Sequence, residues 1–383
     1  MHTGGNNHLK KICEYLVILL MLALLIASSI QITQKPMTEK AFNLMMRVTY
    51  ENNDRERIWN LTENDKTLGL FMNNSWQTVY LEKSSHVIKR LIHDADGNIV
   101  AVLDIGKEFI SPGEKISYDV TFRLIFKERN LPPISKEKSG TLSDIPEHLR
   151  KEYCKPTSLW QSNISVLNET ARSIMGSETK VLVIVGKLVK WIAENIRYKA
   201  SEVPRYPNET FYTLLGDCDD QANLLITFCR AIGIPAYLQL GCIYIERHDV
   251  SKAYWSGRLL IKQIRVGWHG WAIVYIPPWG WLPVDLTYVE GDLRVNPLNS
   301  ITSSAIIKHY TFQYINITKT DYIAETMLMK RFLEMHEFYI YEEDEMEEVS
   351  TKLSPLVKPI LIANLDAFTQ VTFIYRKLRI KCE

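Results

Sequence analysis

The sequence predicts an α+β fold in which helices precede an antiparallel sheet, with a transmembrane helix and an all-β sandwich closer to the N-terminus. Three observations support this prediction: an uncharged apolar run near the N-terminus, a stretch of alternating strands and turns, and a helical periodicity that gives way to strands. The expected divisions are a cytoplasmic N-terminus at 1–11, a transmembrane helix at 12–32, a β-sandwich domain at 38–130, an α+β domain at 145–318 and a C-terminal extension at 319–383.

The first element is an apolar run from Tyr15 to Ile30 that carries no charge and follows Lys10 and Lys11. A bilayer core takes roughly 17–25 residues, so this run with its flanks is long enough to span it. The preceding lysines predict a cytoplasmic N-terminus and an extracytoplasmic chain after residue 32. A signal peptide cleaved near Ala27-Ser28-Ser29 is the alternative. The uncleaved anchor is favoured because the run exceeds the usual length of about 7–15 apolar residues.

The second region, from about residue 43 to 127, alternates strand-like segments with turns. The segment Asp94-Ala95-Asp96-Gly97-Asn98 has hairpin chemistry, because Gly and Asn tolerate positive φ. Residues 116–124 alternate apolar and polar side chains, as a half-buried strand does. Several short strands at this spacing predict the β-sandwich, and the segment 129–144, which contains two prolines, is expected to be a linker.

Helical periodicity dominates the third region. One helix is predicted by an apolar face made of Val181, Val185, Leu188, Val189, Ile192 and Ile196. A second helix should run from Cys218 to Ile232 and stop there, because Gly233 supplies the C′ position and Pro235 cannot continue it. Strands are expected at 236–244, 259–265, 268–276 and 281–286, and beyond Thr320 an amphipathic segment leads into an acidic run at 342–348.

Composition narrows the function classes only slightly. The chain of 383 residues has 45 Lys and Arg against 44 Asp and Glu, and no basic stripe with interleaved aromatic residues. A nucleic-acid partner is therefore not expected. The acidic run at 342–348 is expected to be a solvated face. No pattern fixes the oligomeric state.

Two further features bear on export. Six Asn-x-Ser/Thr motifs are an excess over chance and indicate N-glycosylation, although polar loops alone also produce such motifs. The acceptors are Asn60, Asn73, Asn163, Asn168, Asn208 and Asn316. The six cysteines are too few for a disulfide-stapled scaffold. A Cys229–Cys242 or Cys154–Cys382 bridge is possible outside the cell, and the sequence leaves the pairing open.

The chemistry of the chain centres on Cys218, in Gly216-Asp217-Cys218-Asp219-Asp220 at the start of the second helix. A helix N-terminus favours the thiolate, because its unpaired N–H groups and its dipole stabilise negative charge. The three neighbouring aspartates oppose ionisation, so a cationic imidazole nearby would have to offset them. Taken alone, such a cysteine is more often a small buried hydrophobic residue.

His269 and Asp285 are the expected partners of this thiol. Their midpoint is Pro277, inside a Pro-Pro-Trp-Gly turn signal, so a symmetric hairpin would place His269 opposite Asp285 on one face. Nucleophile, base and orienting carboxylate are then all present. A zinc site built from Cys218, Cys229, Cys242 and His269 is the alternative. It is disfavoured because intervals of 11, 13 and 27 residues fit no compact zinc motif.

The same three motifs resemble the transglutaminase-like core of the papain-like thiol enzymes, over roughly residues 145–290. The resemblance rests on Cys218 at a helix start, the segment Arg230 to Ala236, His269 with Trp271 two residues later, and Gly280-Trp281-Leu282-Pro283-Val284-Asp285. It implies Cys218 as nucleophile, His269 as general base and acid, and Asp285 as orienter. Prokaryotic members often have a membrane anchor and an extracytoplasmic β-sandwich. Animal transglutaminases carry Trp directly after the cysteine, where this chain has Asp219.

The expected function is therefore a membrane-anchored, extracytoplasmic thiol acyl-transfer enzyme that acts on amide bonds of proteins or peptides without a cofactor. Hydrolysis is favoured over cross-linking, since water is the default acceptor unless the site excludes it. The backbone N–H of Cys218 is one candidate oxyanion donor, and no motif identifies a side-chain donor. A non-catalytic surface protein with a degenerate core is the alternative.

Overall fold

The computed structural model describes residues 38–352 and two short strands, Ile360–Leu361 and Gln370–Val371. The expected cytoplasmic N-terminus, the transmembrane helix at 12–32, Cys382 and most of the chain after residue 352 lie outside the described residues. Within the described part, no helix combines the length and the apolar content that a bilayer crossing requires.

Strands make up most of the described chain. In order they are β1 Lys40–Asn52, β2 Trp59–Asn60, β3 Thr67–Gly69, β4 Gln77–Ser84, β5 Val87–Asp94, β6 Ile99–Asp104, β7 Phe109–Ile110, β8 Lys115–Phe126, β9 Arg197–Tyr198, β10 Leu215–Gly216, β11 Ala236–Tyr254, β12 Leu259–Ile276, β13 Gly280–Val284, β14 Thr311–Ile317, β15 Phe338–Val349, β16 Ile360–Leu361 and β17 Gln370–Val371.

The helices cluster between β8 and β11 and again before β15. They are α1 Glu147–Tyr153, α2 Ser165–Met175, α3 Val181–Asn195, α4 Pro207–Thr213, α5 Cys218–Ala231, α6 Asn299–Thr302, α7 Ala305–Lys308 and α8 Tyr322–Glu334. The two helices expected from periodicity are confirmed as α3 and α5. Helix α5 ends as its sequence predicts, because Gly233 adopts a φ of +82° that L side chains rarely tolerate.

One large curled sheet contains strands from both ends of the chain, in the order β14-β11-β12-β15-β1-β8-β4-β16. The first half of β12 pairs in parallel with β15, and its second half pairs antiparallel with β13. Strand β12 is one continuous strand where two were predicted, at 259–265 and 268–276, and β11 runs to Tyr254, past its predicted end at 244. The mixed α+β class is confirmed.

The early strands are present, but a separate all-β sandwich is not confirmed. Strand β1 lies between β15 and β8 in the large sheet, so it shares a hydrogen-bonded surface with the later half of the chain. A second sheet, in the order β17-β5-β6-β3, contacts the large one where Gly69 approaches the ring of Tyr314. Asn98, in the predicted hairpin turn, extends this contact through hydrogen bonds with the backbone of Asn316, 2.7 and 2.8 Å long.

The acidic run at 342–348 was expected to be a solvated face, and this expectation is wrong for its alternate residues 342, 344 and 346. It forms β15, in which Glu342 and Asp344 are 1 % exposed and Met346 is fully buried. A strand places successive side chains on opposite faces, and β15 lies between β12 and β1, so every second residue must point inward. The Trp268 indole N–H donates to Asp344 Oδ2 at 2.9 Å, which offsets part of the cost of burying that carboxyl.

Candidate active site

The candidate nucleophile lies at the start of α5, as predicted. Asp217 is the N-cap: its Oδ1 accepts from the Asp220 backbone N–H at 3.3 Å, and Asp220 Oδ2 accepts from the Asp217 N–H at 3.2 Å. This reciprocal pair satisfies two backbone donors at the helix start. It also fixes Cys218 as the first helical residue, where the side chain is 4 % exposed.

The aspartates that flank the thiol each have other partners. The Arg205 guanidinium pairs with Asp220 at 2.8 Å, and the Arg205 backbone N–H donates to the same carboxylate at 2.6 Å. The Tyr322 hydroxyl donates to Asp219 Oδ2 at 3.0 Å. Burial raises the pKa of Asp219 to about 6, and it also raises the pKa of Asp220, to which repulsion by Asp219 adds. The negative charge near Cys218 is therefore smaller than the sequence alone suggests.

His269 and Asp285 form a buried pair. His269 Nε2 and Asp285 Oδ2 are 2.8 Å apart, and neither side chain is exposed to solvent. Asp285 Oδ1 accepts from the backbone N–H groups of Thr287 and Tyr288, at 3.1 Å each. These donors fix the orientation of the carboxylate, which in turn fixes the orientation of the imidazole.

The register of the hairpin differs from the symmetric one expected about Pro277. Ile276 pairs with Gly280, which moves the centre of the turn to residue 278, and Gly280 has a φ of +81°. Continued past the end of β13, this register would pair Asp285 with Trp271 rather than with His269. The displacement is an even number of residues, so Asp285 stays on the same face as His269 and reaches it diagonally.

Gly270 allows α5 to lie close to strand β12. A Cβ at this position would lie 3.2 Å from the Asp219 Cβ and 3.2 Å from Leu240 Cδ2. The residue that follows the candidate base thus packs against the residue that follows the candidate nucleophile. The charge of His269 also lowers the pKa of Asp219, against the larger opposing effect of burial.

A cavity of about 480 Å³ adjoins these elements. Gln221 lies one turn along α5 from the thiol, Leu286 and Thr287 directly follow Asp285, and Tyr198 is paired with Gly216 just before the helix. Leu293 and Arg294 also line the cavity. Because its wall is drawn from the segments around both candidate motifs, this cavity is well placed to receive a substrate chain.

The structure does not form the zinc site considered as an alternative from the sequence, which consisted of Cys218, Cys229, Cys242 and His269. Among the described residues, the potential ligand atoms that lie within 4.8 Å of one another belong to the consecutive residues Asp217, Cys218 and Asp219. Asp217 caps the helix, Asp219 accepts from Tyr322, and no imidazole is in the group. Cys229 and Cys242 are buried thiols in the core and are not bridged to each other.

Two residues of the site were missed by sequence reasoning, namely Arg205 and Tyr322. Arg205 lies in an irregular segment before α4, and Tyr322 lies in the expected C-terminal extension, 104 residues after the thiol-bearing Cys218. Neither belongs to a motif. Both act through contacts that are distant along the chain, so no local signal could have identified them.

The six expected glycosylation acceptors have different environments. Asn60 and Asn163 are exposed, and Asn208 is partly buried. Asn73 Nδ2 donates to the Val79 carbonyl at 3.1 Å, and Asn168 Nδ2 donates to two carbonyls at 3.3 Å. Asn316 Oδ1 accepts from Gln239 at 2.8 Å. Glycosylation remains a prediction, and the structure favours the two exposed positions.

Comparison with known proteins identifies the domain. Residues 168–286 match the sequence profile of the Transglutaminase-like superfamily, so the chain contains a transglutaminase-like domain over that segment. Cys218, His269 and Asp285 all fall within it. No curated protein matches the chain by sequence.

One solved structure shares the fold over most of its length. The chain is similar to a candidate cysteine protease from Cytophaga hutchinsonii, with 16% identity and a TM-score of 0.51 over 84% of this chain and 94% of the other. A candidate protease from Parabacteroides distasonis has 12% identity and a TM-score of 0.20, covering 58% of this chain and 65% of its own. Red sea bream transglutaminase has 10% identity and a TM-score of 0.26 over 66% of this chain. The chain spans about half of that enzyme, 48%.

Proposed function

We propose that this protein is a thiol acyl-transfer enzyme that acts on amide bonds of proteins or peptides. The observation that carries the proposal is the fully buried 2.8 Å hydrogen bond between His269 Nε2 and Asp285 Oδ2, beside a capped helix that begins at Cys218. An ionised carboxylate only accepts, so Nε2 carries the proton and Nδ1 of the neutral ring keeps its lone pair. That tautomer is the one a general base for a thiol requires.

The proposed reaction proceeds in two stages. Neutral His269 first takes the proton of the Cys218 thiol at Nδ1. The thiolate then attacks the amide carbonyl carbon, a C–S bond forms, and the protonated His269 gives its proton to the amine as the C–N bond breaks. Water then attacks the thioester carbonyl carbon while His269 takes one of its protons. The C–S bond breaks and His269 returns the proton to the sulfur, which releases the carboxylic acid and restores the thiol. An amine in place of water would produce a new amide, which is the cross-linking outcome.

Hydrolysis is the favoured outcome. Water reaches an acyl-enzyme unless the site excludes it, and the cavity beside the site is open along Tyr198, which is 39 % exposed. Asp219 stands where animal transglutaminases carry a tryptophan. The similarity to a candidate cysteine protease is consistent with a peptidase or amidase.

We also propose that the enzyme is anchored in the cell membrane and acts on the extracytoplasmic side. The support is the apolar run from Tyr15 to Ile30 preceded by Lys10 and Lys11. Protease added to intact cells should degrade the segment after residue 32. Protection of that segment in intact cells, with degradation only after lysis, would contradict the proposed orientation.

A peptide screen tests the catalytic proposal. The full-length protein is incubated with a peptide library, with and without a primary amine, and the products are identified by mass spectrometry. Hydrolysed amides are expected with the wild type and not with Cys218→Ala. Cys154→Ala is the control, because burial raises the pKa of that thiol to about 11 and makes it a poor nucleophile. Amine-linked products in place of hydrolysis would favour cross-linking, and no product at all would favour a non-catalytic surface protein.

A further inference from the structure

Tyr322, the first residue of α8, connects the C-terminal part of the chain to the helix that carries the thiol. Its hydroxyl donates to Asp219 Oδ2 at 3.0 Å, and both side chains are almost completely buried. Tyr322 lies outside the transglutaminase-like segment at 168–286. It is therefore a contribution to the site that the matched domain does not contain.

A relay of buried hydrogen bonds fixes the direction in which Tyr322 donates. Trp160 Nε1 donates to Asn223 Oδ1 at 3.0 Å, and Asn223 Nδ2 donates to the Tyr322 hydroxyl. An indole N–H can only donate, so Asn223 presents its carbonyl to Trp160 and its amide N–H to Tyr322. The phenolic oxygen thus accepts from Asn223, and its proton is directed to Asp219. A relay of this polarity stabilises the ionised form of that carboxyl.

The start of α8 is held at a second point. Asp321 caps the helix by accepting from the Ala324 N–H at 3.1 Å, and the Tyr206 hydroxyl lies 3.1 and 3.2 Å from its two carboxylate oxygens. Tyr206 directly follows Arg205, the partner of Asp220. The two aspartates that follow the nucleophile are thus both held at one junction between α8 and the segment before α4.

We propose that Tyr322 is a positioning residue that acts through Asp219 on Cys218 and His269, an inference that rests on the proposed function. Cys218 Sγ lies 3.9 Å from Asp219 Oδ1, whereas Tyr322 binds the other oxygen, Oδ2. Drawing the carboxylate charge towards Oδ2 weakens its repulsion of the thiolate. The same charge favours the protonated imidazole that must accompany the thiolate.

The environment of Asp219 gives this role a measurable consequence. Burial raises the pKa of Asp219 to about 6, and the hydrogen bond from Tyr322 is the largest effect that opposes the rise. Removing the hydroxyl should raise that pKa by about one to two further units, since a hydrogen bond to a charged group is worth that much. The titratable and charged groups that face Asp219 are the N-cap Asp217, Cys218 and Asp220 on α5, His269 on β12, Arg205 before α4, and Tyr322 on α8.

The test is the rate of Cys218 alkylation by iodoacetamide between pH 5 and 9, measured on the full-length protein and located by mass spectrometry. Cys229, in the same tryptic peptide, is fully buried and serves as an internal reference. In the wild type we expect the rate to rise through a step near pH 6, because ionised Asp219 favours the His269 imidazolium that accompanies the thiolate, while Tyr322 turns its charge away from the sulfur. In Tyr322→Phe the step should move up by about one to two pH units. In Asp219→Asn, and in the double variant, the step should be absent.

Controls separate positioning from general destabilisation. Tyr50→Phe removes another buried tyrosine hydrogen bond, to the Asp65 carbonyl at 2.9 Å, and should leave the step near pH 6 unchanged. If Tyr322→Phe folds poorly, Trp160→Phe weakens the same relay from its other end and should move the step in the same direction. A folded Tyr322→Phe with an unchanged profile would overturn this inference and leave the proposed function standing. An effect of Tyr322→Phe that persists in the Asp219→Asn background would also overturn it. A wild-type Cys218 that is inert at every pH would overturn both.

Discussion

At the residue scale, the Asp285 carboxylate is held from three sides. His269 contacts Oδ2, and two backbone N–H groups bind Oδ1. The backbone groups can only donate, so they hold the carboxylate in one orientation and leave the second oxygen for the imidazole. We therefore expect Asp285 to orient the imidazole in a way that a neutral side chain cannot reproduce.

Asp285→Asn should preserve the shape of the site and impair its chemistry. The asparagine oxygen can still accept from Thr287 and Tyr288, so its amide N–H would face His269 Nε2 and force the proton onto Nδ1. The turnover rate is expected to fall by about 10³–10⁴-fold, the size of effect seen in other triads. Asp104→Asn, at an exposed strand end, is the control and should leave turnover unchanged. Equal turnover in Asp285→Asn and the wild type would contradict the orienting role.

At the element scale, the contact between α5 and β12 depends on a glycine. Gly270→Ala would place its Cβ 3.2 Å from both the Asp219 Cβ and Leu240 Cδ2, so strand and helix must separate by a few tenths of an ångström. We expect a loss of about 1–3 kcal/mol in the free energy of unfolding, measured by denaturant titration, together with slower turnover.

Gly186→Ala is the matched control for that substitution. Gly186 is inside α3, and a Cβ there meets Pro297 atoms at ordinary distances of 3.5 and 3.9 Å. Because alanine is the better helix former, this change should stabilise the protein by up to about 1 kcal/mol. If both alanine variants unfolded alike, close packing at Gly270 would not be the reason for the glycine.

Helix α8 also carries Glu325, a partly buried carboxyl whose titration should make the stability of the protein depend on pH. Burial, and then the charges of Asp96, Asp321 and Asp94, raise its pKa to about 8. A carboxyl whose pKa is higher in the folded state contributes stability below its unfolded pKa, near 4.3, and loses that contribution as pH rises through the folded value. Glu325→Gln should therefore match the wild type near pH 4 and be the more stable of the two at pH 8.5 in urea titrations. The control is Glu347→Gln, at an exposed position, and its stability relative to the wild type should be the same at both pH values. If both variants gained equal stability at pH 8.5, this explanation would be contradicted.

At the scale of the whole molecule, the large sheet links the N-terminal strands to the strand that carries His269. Strand β1 pairs with β15, and β15 pairs with β12. A chain that begins at residue 131 would lose β1 and β8 and leave one side of β15 unpaired, with its buried carboxyls exposed. We expect this fragment to lack a cooperative thermal transition. A cooperative transition with a reactive Cys218 would instead support an independent N-terminal domain.

Local signals explain which parts of this architecture could be predicted. The start of α5 was predictable because Asp217 and Asp220 cap it, and its end because Gly233 and Pro235 terminate it. The pairing of His269 with Asp285 was predictable from a turn between two strands, although the exact register was not, since turn length depends on local backbone conformation. The burial of Asp344 and the contacts of Tyr322 depend on segments distant in sequence, which leave no periodic or spacing signature.

The most direct test of the central claim is the alkylation rate of Cys218 at pH 7 in the wild type, His269→Ala and Asp285→Asn. A free thiol with a pKa near 8.5 is only a few per cent ionised at this pH, so a thiol activated by His269 should react about tenfold faster than glutathione. His269→Ala should abolish that advantage, and Asp285→Asn should reduce it. A wild-type Cys218 that reacts no faster than glutathione, and is unaffected by His269→Ala, would contradict the assignment of these three residues to one catalytic site.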